Sequence, residues 1–248
     1  MNVVKIMGGL GNQLFQYALA KHLEHYDSIG LDITYYDSEI NHNGDVPHRE
    51  FLLPCFVDDL VYAEQENRPR VNQWEYDKNR AYTDSWFFGD WQKASFFADA
   101  NLNIRLKDEY ITKDVRKLSE QMQAENSVAI HIRRRDYINL GWELSLDYYE
   151  RAIQRARELV PNPVFYVFSD DMAYCIDDLE WGFVRFYVCK GELADFWLMS
   201  KCKHNIIANS SYSFWSAYLN ENPDKVVIYP KNWICSANPT EGLEWEGV

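Results

Sequence analysis

The stretch SVAIHIRRRD, residues 127–136, opens the alternation of strand and helix patterns that decides the fold class. Residues 127–132 form a β-rich run, and three arginines follow it at once. Downstream, short apolar runs alternate with segments of helical spacing, which is typical of βαβ units and a parallel sheet. The predicted strands are 127–132, 164–168, 183–188, 204–208 and 226–229, and the predicted helices are 146–159 with Ser145 as N-cap, a short one after Asp171, 192–203 and 210–220.

The amino terminus shows the same pattern once. A β-rich run at 3–7 ends in Gly8-Gly9-Leu10-Gly11, and residues 12–26 then carry helical spacing. Residues 29–110 are less regular and include an aromatic-dense segment at 86–97. The polar run 120–126 is the predicted linker. We therefore predict an α/β protein of two Rossmann-like domains, residues 1–125 and 126–248.

Composition excludes several classes of protein. Of 248 residues, 47% are hydrophobic, which excludes a disordered chain. The formal net charge of -13 disfavours general binding of nucleic acid. Apolar runs are too short for a transmembrane helix, and the amino terminus lacks a signal-peptide core. The five scattered cysteines are interpreted as buried thiols, so we expect a cytoplasmic protein.

Ligands of open α/β sheets bind at the carboxyl ends of strands, where helix N-termini point outward. The glycine turn after the first strand is one such place, where Asn12 and Gln16 could project amides toward a ligand. Its spacing matches neither a dinucleotide-binding glycine motif nor a P-loop. A purely structural turn therefore remains the alternative.

The arginine run is the second place. Guanidinium groups bind phosphate bidentately, so Arg133, Arg134 and Arg135 suit a pyrophosphate. If the strand alternation continues, Arg133 and Arg135 face one way and Arg134 the other. The alternative is a solvated basic turn that pairs with local carboxylates.

Two further strand ends carry weaker signals. Residues 209–212, Asn-Ser-Ser-Tyr, open a helix and suit either an anion or simple N-capping. Asp170 and Asp171 suit a metal or ribose site, and equally a helix cap. The D-x-D, H-E-x-x-H and G-x-S-x-G motifs are absent, and His22 and His25 are predicted to be surface residues. These patterns favour an anion pocket without a metal.

Five segments in chain order resemble glycosyltransferase family 11, the GDP-fucose-dependent alpha-1,2-fucosyltransferases, here of the bacterial kind. Gly89-Asp90-Trp91-Gln92 resembles the family's G-Y-x-Q segment, with Asp90 in place of the aromatic residue. The other four are GGLGNQLFQYA at 8–18, the H-x-R-R-x-D run at 131–136, the D-x-x-x-M-x-x-C segment at 195–202 and ANSSYSFWSAYL at 208–219.

The resemblance implies a GT-B fold, two Rossmann-like domains facing across a cleft. It implies an inverting, metal-independent transfer of L-fucose from GDP-L-fucose to the 2-hydroxyl of a galactose-like residue in a glycan acceptor. The carboxyl-terminal domain would hold the donor and the amino-terminal domain the acceptor, with no cofactor. The chain would work in polysaccharide biosynthesis, with transient association with membrane-bound glycolipid precursors. The alternatives are a GT-B transferase for another sugar nucleotide, or a non-catalytic nucleotide-sugar or glycan-binding module.

The resemblance also implies roles for single residues in donor binding. Arg133 would meet the charge on the β-phosphate, with Arg134 a second cation or a pairing partner and Asp136 orienting both. His131 and Asp195 would contact the nucleotide, Asp195 by accepting hydrogen bonds from guanine. The pyrophosphate would be cradled by three residues at a helix start: Ser210, Ser211 and Tyr212.

From the amino-terminal domain, Gly11, Asn12 and Gln13 would line the cleft near the sugar or the attacking hydroxyl. Asn12 would have a catalytic role, and Gly11 and Gln13 would help to bind the donor. Glu143 is the candidate general base on position alone, since a carboxylate within reach of the hydroxyl assists its attack. The connection at 137–145 is short compared with the relatives. The aromatic residues Trp86, Trp91 and Phe96 are interpreted as core rather than as a platform for sugars.

Overall fold

A computed structural model describes residues 1–42, 48–58, 60–179, 181–233 and 238–248 of the chain. These residues form two compact units. The first unit comprises Met1–Lys107 and a later segment that ends at Gly242. The second unit begins at Asp108, continues to Trp233, and includes Leu243–Val248.

The first unit contains a four-stranded parallel sheet with the strand order β2-β1-β4-β3. Single 3₁₀ turns lie at Leu53–Cys55 and Ala94–Phe96. The strands are β1 (Asn2–Lys5), β2 (Ile29–Asp32), β3 (Arg70–Asn72) and β4 (Trp86–Phe88), and the helices are α1 (Leu10–Leu23) and α2 (Glu39–His42).

The second unit is built on a longer parallel sheet. After a 3₁₀ turn at Asp108–Tyr110, its helices are α3 (Lys113–Ala124), α4 (Arg135–Leu140), α5 (Leu146–Leu159), α6 (Met172–Asp177), α7 (Glu192–Lys201) and α8 (Ser211–Tyr218). Its strands are β5 (Ser127–Ile132), β6 (Val164–Ser169), β7 (Phe186–Val188), β8 (His204–Ile206), β9 (Val227–Tyr229) and β10 (Glu246–Gly247). The order β10-β9-β8-β5-β6-β7 is that of a Rossmann sheet.

The predicted parallel sheet is confirmed, and β5 and α5 have the predicted bounds. The residues after β5 differ from the prediction, because 135–140 form α4 rather than part of a short loop. Gly141, at φ +67, ends that helix in the left-handed conformation that glycine adopts at least cost. The units divide at Lys107 and Asp108 rather than at 125 and 126, because α3 packs against α7 of the second unit.

Burial follows the expected pattern of a covered parallel sheet. All six residues of β5 are buried, as in strands that helices cover on both faces. Helix α5 turns Tyr148, Tyr149, Ala152 and Ile153 toward the same core. Each large side chain buried in this way contributes about 1.5–3 kcal/mol, so this contact holds the central strand β5 in place.

Three composition-based predictions can be compared with the structure. Trp86 and Trp91 are buried, and Trp91 packs against Phe96 at 5.9 Å between ring centroids, which confirms the core interpretation of the aromatic segment. Among the predicted buried thiols Cys189 is exposed, whereas Cys55, Cys175 and Cys202 are buried; Cys235 lies outside the described residues. Within the described ranges, the helices are too short or too polar to cross a bilayer.

Candidate functional site

Each sheet has a point where the strand order reverses, and parallel sheets bind ligands outside the carboxyl ends of strands at that point. In the second unit this point lies between β5 and β8. The loop after β5 begins at Arg133, and the loop after β8 contains Asn209. In the first unit this point lies between β1 and β4. The loop after β1 contains Gly8, and the loop after β4 begins at Gly89. The topology therefore selects four loops, two in each unit.

In the second unit the two loops are joined directly. The Tyr137 hydroxyl donates to the carbonyl oxygen of Asn209 at 3.3 Å. The Asn209 side-chain amide in turn donates to the carbonyl oxygen of Trp142 at 3.0 Å. Residues on both sides of the strand reversal are thus held in one arrangement.

Arg133 is held by two carboxylates. Its Nη2 lies 2.6 Å from Asp136 Oδ1, and its Nη1 lies 2.9 Å from Asp170 Oδ2. Its guanidinium also lies 5.3 Å from the ring centre of Tyr137. Its Nε–H is buried and has no acceptor among the residues that the structure describes. That donor takes part in neither ion pair, so a phosphate that reached it would displace no described partner.

Arg134 is held on the same side. Its Nε lies 3.1 Å from Asp171 Oδ2, its Nη1 forms an ion pair with Glu143, and its backbone N–H donates to Asp170 at 2.9 Å. Its guanidinium stacks 3.4 Å over the ring of Tyr174. The predicted alternation of the arginines is wrong, because extended backbone stops at Ile132.

The surroundings of Arg133 and Arg134 are rich in carboxylates. Four of them contact the two guanidiniums: Asp136, Glu143, Asp170 and Asp171. The cluster is thus a pair of fixed cations rather than an open basic patch, whereas Arg135 is exposed. Asp171 also caps α6 by accepting from the Tyr174 N–H at 3.3 Å, as the capping interpretation predicted.

His131 lies behind this cluster. Its side chain is 4% exposed, and its ring centroid is 5.5 Å from that of Tyr212. Burial, and then the charge of Arg133, lower the pKa of His131 to about 3. The imidazole is therefore neutral at physiological pH.

Asp195 and Tyr212 lie on neighbouring helices of the second unit. Asp195, in the first turn of α7, accepts a hydrogen bond from the Lys190 N–H at 2.8 Å. Burial raises the pKa of Asp195 to about 6. The Tyr212 ring packs on Phe196 at 5.3 Å, and Ser210 is the buried N-cap of α8. The starts of α7 and α8 thus lie together near His131.

In the first unit, the predicted ligand-facing roles of Gln13 and Gln16 are corrected. Both side chains are fully buried. Gln13 donates to the carbonyls of Gly8 and Glu50 at 3.0 and 2.7 Å and accepts from Leu52 N–H at 2.8 Å. Gln16 accepts from Met7 N–H at 2.9 Å and donates to the Gly89 carbonyl at 3.2 Å. Backbone groups of the surrounding loops occupy the hydrogen-bonding atoms of both side-chain amides. The two glutamines therefore hold these loops together.

Asn12 remains half-buried beside these loops. Its Oδ1 accepts from Gln92 Nε2 at 3.0 Å, which ties the glycine turn to the turn after β4. Gly8 has φ +76, and a Cβ there would lie 3.0 Å from Asn12 Nδ2. The positive φ therefore favours glycine at this position, and a Cβ would also crowd the Asn12 amide. Gly11 is buried within α1.

His22 is not a surface residue as predicted. It is buried at the far end of α1, and its Nδ1 lies 2.6 Å from Asp99 Oδ1. With the exposed His25 these side chains could hold a metal ion, and no other such group occurs among the described residues. They lie apart from the glycine turn, which precedes the other end of α1.

Sequence comparison decides the family. The sequence profile of Glycosyl transferase family 11 matches residues 1–245. The chain belongs to glycosyltransferase family 11. The family match covers both units, so each of the four loops lies within it.

The chain is similar to curated glycosyltransferases from bacteria and from mammals. An Escherichia coli alpha-1,2-colitosyltransferase is 30% identical over 94% of this chain and 92% of its own length. The E. coli O-antigen biosynthesis glycosyltransferase WbnK is 29% identical over 95% and 96%. Mouse galactoside alpha-(1,2)-fucosyltransferase 2 is 24% identical over 95% of this chain and 72% of its own length.

Solved structures confirm the predicted GT-B type of fold. The fucosyltransferase NodZ from Bradyrhizobium aligns with a TM-score of 0.54 at 15% identity, over 88% of this chain and 91% of NodZ. NodZ alpha-1,6-fucosyltransferase co-crystallised with GDP aligns with a TM-score of 0.56 at 16% identity, over 88% and 91%. At these identities the likeness concerns the fold alone.

Proposed function

We propose that this glycosyltransferase transfers L-fucose from GDP-L-fucose to the 2-hydroxyl of a galactose-like residue, with inversion and without a metal. The observation that carries the proposal is the Arg133 guanidinium, which two carboxylates hold at the reversal point of a Rossmann sheet. One of its buried N–H groups has no acceptor in the described part of the chain. Family membership supplies the class of reaction.

The donor's pyrophosphate is proposed to bind in the second unit. Negative charge grows on the β-phosphate as the sugar leaves, and a fixed cation stabilises that charge more than a mobile one. Arg133 is assigned to this oxygen through its free Nε–H. Ser210 and Ser211 at the start of α8 add backbone donors and the favourable end of the helix dipole.

The guanine base is assigned to Asp195. A carboxylate accepts from guanine N1–H and the 2-amino group together, a pattern of donors that adenine lacks. Tyr212 and neutral His131 would form the apolar wall beside the nucleotide. Arg134 is assigned a supporting role, since three protein groups already engage it.

The acceptor is proposed to bind at the first unit's reversal point, beside Gly11 and Asn12. Gln13 would act indirectly, by holding the glycine turn. Glu143, the general base predicted from sequence, forms an ion pair with Arg134. We therefore assign Glu143 to bracing Arg134 rather than to proton transfer.

The colitosyltransferase relative favours a second donor. Colitose is the 3-deoxy form of fucose, so the two donors differ by one hydroxyl. A donor site can either hydrogen-bond this hydroxyl or leave it without a partner. A site with a hydrogen-bonding partner for that hydroxyl would reject the deoxy sugar strongly. A competition assay with the two GDP-sugars therefore separates the candidates.

The decisive experiment is a donor and acceptor screen with linkage analysis of the product. We expect transfer from GDP-fucose to galactose-terminated glycans, an α-1,2 linkage and unchanged turnover in EDTA. Equal or better use of UDP-sugars would contradict the guanine assignment. A strict requirement for Mg²⁺ or Mn²⁺ would contradict the metal-independent mechanism. Nucleotide-sugar binding with neither transfer nor hydrolysis would indicate a binding module.

A further inference from the structure

The turn after β4, residues 89–92, is fixed from several sides. The side-chain oxygen Oε1 of Gln73 accepts from the backbone N–H of Asp90 at 3.0 Å and of Trp91 at 2.9 Å. Gln16 donates to the Gly89 carbonyl, and Gln92 donates to Asn12. Buried or half-buried amide side chains therefore bind two consecutive backbone N–H groups and both ends of the turn.

The turn also holds a strained residue. Trp91 has φ +59, a conformation that costs a bulky residue about 1–2 kcal/mol. Its fully buried indole packs on Tyr76 at 5.5 Å and on Phe87 at 6.0 Å, which offsets that cost. At Gly89, a Cβ would lie 2.9 Å from Gln73 Cβ, so no larger residue fits. The backbone of Asp90 is thus held in one conformation.

The carboxylate that this turn presents has no partner among the residues that the structure describes. Asp90 is half-buried, and no described side chain or backbone N–H donates to its oxygens. Burial raises the pKa of Asp90 above its usual value. Asp32 of the same sheet shows the contrast, since Lys5 and the Trp86 indole N–H each lie 3.0 Å from its oxygens. A half-buried carboxylate that no described group engages can accept hydrogen bonds from a ligand without giving up a protein partner.

The location of Asp90 identifies the kind of ligand. It follows β4 at the reversal point of the first sheet, beside Asn12 and the glycine turn. A negatively charged acceptor of hydrogen bonds suits a neutral hydroxyl compound and disfavours a phosphate. A sugar hydroxyl matches this chemistry and is the nucleophile of the proposed reaction.

We propose that Asp90 binds the attacking hydroxyl of the acceptor sugar and accepts its proton. This inference rests on the proposed function. The hydroxyl oxygen forms a bond to C1 of the donor sugar while the bond from C1 to the β-phosphate oxygen breaks, and its electron pair leaves with the nucleotide. The hydroxyl proton passes to the Asp90 carboxylate and from there to solvent. A carboxylate with a raised pKa is the better base for this step.

The proton acceptor is then a feature of this chain rather than of the family motif. The segment that Gly89–Gln92 resembles carries an aromatic residue at the position of Asp90. An aromatic ring can pack on a sugar face but cannot take a proton from a hydroxyl at neutral pH. Asp90 therefore distinguishes this chain from relatives that keep the aromatic residue.

The test compares Asp90→Asn with the control Glu64→Gln, which removes an exposed carboxylate ahead of β3. We expect Asp90→Asn to lower kcat about 10²-fold or more and to remove the acidic limb of the kcat–pH profile measured at saturating GDP-fucose, where the titration of Asp195 has no effect. Asp90→Ala should regain activity with added formate, which a structural role would not produce. Glu64→Gln should behave as wild type.

Binding separates this inference from the proposed function. GDP-fucose should bind Asp90→Asn as tightly as wild type, which also shows that the variant is folded. A kcat within threefold of wild type with an unchanged acidic limb would overturn the role of Asp90. So would a tenfold loss in Asp90→Ala that formate does not restore. If wild type itself neither binds nor transfers from GDP-fucose, the proposed function fails instead.

Discussion

At the scale of single residues, the candidate site depends on groups whose charges are held in place. Arg133 contacts two carboxylates, and Asp195 is kept partly desolvated at the start of α7. Neither property follows from residue type alone, because arginines and aspartates on a surface are mobile and solvated. A fixed charge stabilises a transition state without having to reorganise first. This is why we assign donor binding to these two residues.

Arg133→Ala should lose transfer activity about 10²-fold or more, because the β-phosphate would lose its fixed cation. The measurement is steady-state kcat with GDP-fucose and a galactose-terminated acceptor. Arg135→Ala is the matched control, since Arg135 is the exposed neighbour in the same run. Near-normal turnover of Arg133→Ala would remove its proposed role.

Binding of GDP-fucose should weaken as the pH falls through about 6, the pKa of Asp195. Only the ionised carboxylate accepts both guanine donors, so affinity should fall about tenfold between pH 7.5 and pH 5. Titration calorimetry at the two pH values measures this, and the donor's pyrophosphate does not titrate in that range. Asp195→Asn should bind weakly at both values; an equally steep pH dependence in that variant would exclude Asp195.

At the scale of elements, the loops after β1 and β4 are joined by buried glutamine side chains. Gln16 bridges Met7 and Gly89, and Gln13 ties the glycine turn to residues 50–52. In a sheet of short strands these amides replace backbone pairing beyond the strand ends. The glutamines predicted to face a ligand therefore support the loops to which we assign the acceptor.

Gln13→Leu should lower the free energy of unfolding by about 2 kcal/mol or more. The change leaves the buried Leu52 N–H and the Gly8 carbonyl without this partner, and an unsatisfied buried group costs about 1–3 kcal/mol. Urea unfolding measures the effect. The exposed Gln65→Leu is the control and should change stability by less than about 0.5 kcal/mol. Equal stabilities for the two variants would contradict the supporting role.

At the scale of the whole molecule, the chain consists of two compact units with parallel sheets, and each sheet has its own reversal point. Donor-binding residues are assigned to the second unit and acceptor-binding residues to the first. This division predicts that substitutions in one unit change the KM of one substrate. The stability of the protein, in contrast, depends on buried groups such as His131.

Acid should destabilise the protein through His131. Its folded pKa of about 3 lies below its ordinary value of 6.5, so its stabilising contribution is present above 6.5 and is lost as the pH falls toward 3. From this group we expect a loss of about 2 kcal/mol in unfolding free energy between pH 7 and pH 5. Urea unfolding of wild type and His131→Gln at both values measures it. An identical loss in both proteins would exclude His131 as the cause.

Local patterns were sufficient for the regular elements and for the family. The strand at 127–132 and the helix at 146–159 were predicted at their observed bounds, because hydrophobic periodicity over several turns reports directly on burial. The motifs carried the resemblance for a similar reason, since glycines and arginines at fixed spacing reflect local backbone and charge requirements. The first unit was less readable because, among the described residues, long connections separate β2, β3 and β4, and no helical segment in those connections exceeds four residues.

Only the tertiary structure decided which of the candidate side chains are buried or paired and which remain accessible. Gln13 and Asn12 are neighbours in sequence, yet one is buried among backbone groups and the other half-exposed. Glu143 and Asp90 are both carboxylates, yet Arg134 neutralises one and no described group pairs with the other. Sequence determines which groups a chain carries, but their availability depends on partners distant in sequence, and those are set by the packing of the strands.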